Sequence, residues 1–171
     1  MGDRIVVMSN AVVQQVGTPA QEYHDPVNLF VANFIGSPGM NLVAGKYADG
    51  VVHLDGGSAY PVPDDWKPAL ASALRSDEVI VGFRPEAAQV SESGALNGVV
   101  YTSDLHGAYT MLHASLEGQG GRNLEDKIVH IRAPREVAHT MGAKIHFDLV
   151  PDMVRFFDPK TEAAVTREMR A

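Results

Sequence analysis

A mainly β domain, a small barrel or sandwich carrying an N-terminal appendage, is the fold class that this 171-residue sequence predicts. Three observations carry that expectation. Beyond Met40 the apolar residues fall in short runs of strand length, and Lys144–Leu149 alternates strictly, with Ile145, Phe147 and Leu149 on one face. Gly, Pro, Asp and Asn punctuate the runs at near-regular spacing, the chemistry of turns between short antiparallel strands. The first 36 residues read differently, as two strands followed by helix-start signals.

The elements follow in order. Asp3–Met8 and Val12–Val16 are two strand candidates, with Asn10-Ala11 as the turn between them. Asn-Gly would be the stronger turn, because both central residues of a two-residue hairpin loop need positive φ. Thr18-Pro19-Ala20-Gln21 has capping-box spacing with proline at the first helical position. Asp25-Pro26 ends that helix and is expected to start another, in which Val27, Phe30, Val31, Phe34 and Ile35 form one apolar face. Gly36-Ser37-Pro38-Gly39 terminates it. Strands are then expected at 40–47, 50–54, 78–83, 97–104, 109–116, 127–132, 143–149 and 153–157. One helical interruption is expected over 64–75, carrying Trp66, Leu70 and Leu74. Asp49-Gly50 and Gly118–Gly121 read as turns. In Phe156-Phe157 only one ring can face a given side of a strand, so the other requires a second layer, a partner or solvent.

Composition excludes several functions. There is no cysteine, hence no disulfide, thiolate metal site or cysteine nucleophile. Fourteen basic residues against 21 acidic ones give a net charge of −7, unfavourable for a nucleic-acid backbone, and 7% aromatics supply few base-stacking platforms. No apolar run reaches the ~20 residues of a membrane-spanning helix. The seven histidines are scattered and none forms a zinc-type pair. No phosphate-cradling Gly-x-x-x-x-Gly-Lys loop and no Gly-x-Ser-x-Gly elbow occurs, so spacing assigns no catalytic, cofactor or metal residue. Arg84-Pro85-Glu86 follows a strand candidate. It reads first as a turn with a surface ion pair and second as an interface anchor.

A longer pattern carries a resemblance. Gln15-Val16-Gly17, Pro19, Glu22-Tyr23, Pro26, Asn28, Phe30-Val31-Ala32, Phe34–Pro38 and Met40-Asn41 fall in one register. With Gly82-Phe83-Arg84-Pro85-Glu86, Gly107 and Thr110, and Phe156–Asp158, they resemble the end of the ATP-binding subunit of sugar-type ABC importers. The family's usual His after Arg-Pro-Glu is Ala87 here, and its usual Leu and Glu around Gly107 are His106 and Tyr109.

The resemblance implies an OB-type (transport-associated) β-barrel over 39–171, with regulatory and dimerising roles. It implies that residues 1–38, a hairpin and two short helices, are the last part of a nucleotide-binding domain. The ATP and Mg²⁺ sites of such a subunit would lie outside this chain, which is expected to hold no cofactor and to be no enzyme by itself. Expected partners are a second copy, the membrane permease subunits, and a regulatory protein or effector, at the cytoplasmic face of the membrane. Arg84, Glu86, Gly107, Phe30 and Phe34 are the candidate regulatory or interface residues. The competing reading is a stand-alone OB-type module that binds a small ligand or oxyanion.

Overall fold

The computed structural model describes residues 2–54, 57–116, 128–137 and 139–167. Strand β1 (Ile5–Ser9) pairs antiparallel with β2 (Val12–Gly17). Asn10 and Ala11 both adopt positive φ, 50° and 62°, as a two-residue hairpin turn demands. Ala11 adopts it against the preference of its Cβ. Helix α1 (Pro19–His24) opens with the full capping box, in which Thr18 Oγ1 accepts from Gln21 N and Gln21 Oε1 accepts from Thr18 N.

Helix α2 (Leu29–Phe34) begins later than the sequence predicts. Asn28 caps it, its side-chain oxygen accepting from Val31 N at 3.0 Å, so Val27 lies outside the helix. With only six residues it buries a narrow side. Val31 and Ala32 are fully covered, whereas Phe34 is 62% exposed and stacks on Phe30 at 5.5 Å. The predicted face of Val27, Phe30, Val31, Phe34 and Ile35 is therefore split, and Val31 alone of the five is buried.

The remainder is built from two five-stranded antiparallel sheets. One runs β12 (Val154–Phe157), β6 (Glu78–Phe83), β3 (Asn41–Ala48), β4 (Val51–Leu54), β5 (Ala59–Pro61). The other runs β10 (Ile128–Pro134), β9 (Tyr109–Leu116), β8 (Leu96–Leu105), β11 (Lys144–Leu149), β7 (Ala88–Ser91). Strands β5 and β7 are additions to the expected set; at three and four residues they carry no readable alternation. The Gly118–Gly121 turn lies outside the described residues. Strands β10 and β7, the two edges of the second sheet, approach one another and nearly close it as an OB-like barrel.

Both sheets face one core that includes Val81, Phe83, Leu112, Ile131, Phe147 and Phe156. Helix α3 (Lys67–Ala73) closes it, with Leu70 buried and Trp66 edge-on to Phe156 at 5.1 Å. The sheets are also stitched by one side chain. Asn41 Nδ2 donates to His130 O and Asn41 Oδ1 accepts from His130 N, both at 2.8 Å, so a carboxamide occupies the place of a strand's peptide.

Phe156 and Phe157 are both fully buried. Phe156 belongs to the shared core, and Phe157 packs on the opposite side of its sheet with Ala32 and Met40. The second layer that the doublet requires is thus the appendage. Gly82 makes room for it, since a Cβ there would lie 2.7 Å from the Phe157 ring and 2.8 Å from Met40 Sδ.

Strand β11 has the predicted register, with Ile145, Phe147 and Leu149 buried and His146 exposed. Leu149→Ala is expected to cost about 2–5 kcal/mol in urea unfolding, and His146→Ala less than about 0.5 kcal/mol. Equal losses would contradict the register.

Candidate regulatory joint between appendage and barrel

Arg84 is the centre of the site. It follows β6, and Pro85 at the start of a short 3-10 turn directs the chain away. Its side chain is 2% exposed. Nε and Nη2 donate to Tyr23 O at 3.2 and 2.8 Å, and Nη1 donates to Ile35 O at 2.5 Å and Ala32 O at 3.2 Å. Its guanidinium also lies 4.1 Å from the centroid of the Tyr23 ring.

These acceptors sit at the ends of α1 and α2, where helix carbonyls have no partner within the helix. One planar cation therefore satisfies the C-terminal ends of both helices, and its positive charge complements their dipoles. Burial pushes the Arg84 pKa down, and the neighbouring Tyr23 and Glu86 oppose that shift. A guanidinium nevertheless remains charged.

The surface ion pair predicted for Arg84 and Glu86 does not form. Arg84 turns inward to main-chain carbonyls, while Glu86 accepts the phenolic proton of Tyr23 at 2.8 Å. The Tyr23 pKa is pushed up to about 12, first by burial and then by the bond to Glu86 and its charge; Arg84 and Arg132 pull it down. Tyr23 is thus a neutral donor at physiological pH. Two further attachments hold the appendage. Arg155 donates to Asp25 Oδ1 at 2.7 and 3.1 Å. Leu29 N and Ala164 N donate to Glu162 O and Val27 O in a short backbone ladder.

Glu22 is discordant within this joint. It is fully buried against β2, and neither carboxylate oxygen has a hydrogen-bond partner. Burial raises its pKa.

The other predicted residues lie apart from this joint. Gly107 sits at the tip of the β8–β9 hairpin with φ 66°, and a Cβ there would meet nothing, so only its backbone conformation calls for glycine. Phe30 and Phe34 lie on the outward side of α2. A cavity of about 320 Å³ beside Trp66, Asp25 and Val27 is also lined by Arg155 and Arg167. Arg155 spends its donors on Asp25 and on the carbonyls of Asp152 and Val154, and Arg167 pairs with Asp65. The cavity therefore offers an oxyanion little unspent charge. Among the described residues no cluster of three or more His, Asp or Glu could hold a metal, and no helix is long and apolar enough to cross a membrane.

An OB-like barrel with a buried arginine joint to a helical appendage is the architecture, and residues 36–88 match the family described as MalK OB fold domain. The chain carries a MalK-type OB-fold domain and corresponds to part of the ATP-binding subunits of sugar and glycerol-phosphate importers. It is 31% identical over 161 residues to the sn-glycerol-3-phosphate import ATP-binding protein UgpC of Ruegeria sp. (strain TM1040), covering 94% of this chain and 42% of that protein. It is 31% identical to the oligosaccharides import ATP-binding protein MsmX of Bacillus subtilis (strain 168), covering 96% and 45%. To the xylose/arabinose import ATP-binding protein XacJ of Haloferax volcanii it is 32% identical, covering 96% and 44%. The chain thus spans less than half the length of these relatives. In fold it is similar to the cytoplasmic molybdate-binding protein ModG, with a TM-score of 0.52 at 15% identity over 70% of this chain and 96% of that one.

Two outcomes follow. Arg84→Met leaves the carbonyls of Tyr23 and Ile35 without their donor, Ala32 O keeping its bond from Met40 N, and should cost about 3 kcal/mol in urea unfolding. Arg84→Lys should restore only part, because an ammonium has no fork to span them. A loss below about 1 kcal/mol for Arg84→Met would show that the joint is held elsewhere. The second concerns Glu22. A carboxyl whose folded pKa lies above its unfolded one stabilises the fold most at low pH. That contribution is lost as pH rises from the ordinary value of 4.5 to the raised one, and is level beyond it. Glu22→Gln should abolish this pH slope and make the protein more stable at pH 7, measured by thermal melts between pH 3 and 8.

Proposed function

We propose that this chain is the regulatory and dimerising part of an ABC importer's ATP-binding subunit, whose ATP hydrolysis drives uptake of a carbohydrate or glycerol-phosphate-like solute. The observation that carries the reading is alignment of 94–96% of the chain with import ATP-binding proteins. In this reading residues 1–38 are the closing segment of the nucleotide-binding unit and residues 39–171 are the regulatory barrel. ATP and Mg²⁺ bind outside this chain, and the membrane permease subunits are the parent's partners at the cytoplasmic face.

The surface of the appendage supports this division. On the β1–β2 ribbon the cross-strand pairs Val6–Val16 and Met8–Val13 are all 45–53% exposed, and Val12 is 59% exposed. A continuous apolar ribbon face of this kind normally has something packed on it. The rest of the ATP-binding subunit is the proposed cover. Arg84 and Glu86 join that unit to the barrel, and an effector or partner protein acting on the barrel would bias the arrangement of the ATPase pair. Gly107, Phe30 and Phe34 are proposed interface positions.

Sedimentation equilibrium at micromolar concentration tests the dimer, with a mass of twice 18.4 kDa expected. A clean monomer defeats the dimerising role. Mg-ATP at millimolar concentration should leave the thermal midpoint unchanged, and a saturable rise would place a nucleotide site inside this chain.

A further inference from the structure

On the outer face of the second sheet, β8, β9 and β10 bring three titratable side chains together. Val129 and Ile131 face the core, so His130 between them points outward. His113 and His130 stand directly opposite one another in the β9–β10 register. Their rings meet edge to face, 4.8 Å between centroids and 78° between planes. Asp104 on β8 accepts from Nε2 of His113 at 2.9 Å. A proton on His113 thus has a carboxylate to pair with. The side chain of His130 forms no hydrogen bond or ion pair among the described residues, and a proton there meets only the neighbouring imidazole.

His130 is also where the appendage meets this sheet. Asn41 grips its peptide from both sides. The residue lines a cavity of about 330 Å³ together with Asn33, Pro38, Met40 and Leu42. Met40 packs in turn with Ala32 of α2 and with Phe157. The turn at Gly39 lies so close to α2 that a Cβ there would fall 2.4 Å from Asn33 O, so a displacement of the turn reaches the helix.

This half-buried seam suits a neutral ring. Burial pushes the His130 pKa down, and the charge of His113 adds to that shift. The other charged groups on the surrounding elements are Arg132, two residues on along the same face, and Glu86 of the 3-10 turn, which is bound to Tyr23. Helix α2, the turn over 36–40 and Asn41 bring none. A histidine lowered from 6.5 leaves the docked arrangement fully stable above that pH. Stability is then lost as pH falls from 6.5 to the lowered value, and is level below it.

We propose that His130, facing His113 and Asp104, is a proton-operated release for the appendage: when His130 takes up a proton, segment 33–40 loosens from β10 so that water reaches the ring, while the barrel stays folded. Asn41 holds only the peptide of His130, so the neighbours of the ring are what give way. The proposal goes beyond the importer reading and does not depend on it.

The test uses the full chain, labelled with ¹³C and ¹⁵N and followed by NMR from pH 8 to pH 5. Imidazole signals report the protonation of His130. Exchange protection of the Ala32, Ile35 and Met40 amides, which donate to Asn28, Val31 and Ala32, reports the docked appendage. The expected result is a loss of protection at these three of at least tenfold, centred on the His130 titration, while Leu112 and Phe147 in the core keep theirs. His130→Gln keeps a neutral polar side chain and should abolish the loss. His113→Gln removes the opposing charge and should move the loss to higher pH. Spectra at pH 8 check that both variants are folded. Protection that persists through the His130 titration, or is lost equally in His130→Gln, would overturn the proposal. Simultaneous loss at Leu112 and Phe147 would also overturn it, since acid would then unfold the whole chain. Glu22 does not produce the expected loss, because its titration stabilises the fold at low pH.

Discussion

The structure turns on a buried cation whose ligands are carbonyl oxygens. Arg84 leaves the barrel at the end of β6 and meets the ends of both appendage helices, donating to Tyr23, Ala32 and Ile35. Helices of six residues cannot stand alone in water, because nucleation costs more than so few bonds return. They need a surface to lie on and a partner for their terminal carbonyls. The outer face of the first sheet supplies the surface through Met40 and Phe157, and Arg84 supplies the partner. Without that donor the carbonyls of Tyr23 and Ile35 would be left unsatisfied at the joint, while Ala32 O would keep its bond from Met40 N.

Much of this was legible where the signal is local. The Thr18–Gln21 capping box lies within four residues and forms as read. The alternation of 144–149 sets its own register, and Asp49 and Gly50 take the positive φ values, 52° and 79°, expected of a hairpin turn. Phe156-Phe157 announced a second layer without saying what formed it. The long motif placed the chain among importer ATP-binding subunits, and the similarity to UgpC, MsmX and XacJ bears out that recognition.

What the sequence hid were interactions whose partner has no side-chain signature. Arg84 beside Glu86 invites an ion pair, since charge is visible in sequence and main-chain carbonyls are not. The clamp of Asn41 on His130 spans 89 residues and likewise addresses a peptide group. Helix α2 misled for another reason. Its apolar residues satisfy the 3.6 period on paper, but a helix begun at Asn28 is too short to present them all to one surface. The orphaned Glu22 carries no sequence signal at all, since glutamate in the first turn of a helix is ordinary.

An arginine that grips carbonyls recognises where the chain goes and not which residues it carries. At Ile35 the contact is indifferent to the side chain so long as the helix ends there, whereas Ala32 is also fixed by its burial against Met40 and Phe157. The contact does not tolerate drift in length. One residue inserted or lost within α2 would rotate the Ile35 carbonyl by about 100° about that helix's axis and carry it out of the fork's plane. The length of α2 is thus under tighter constraint than the side chain at Ile35.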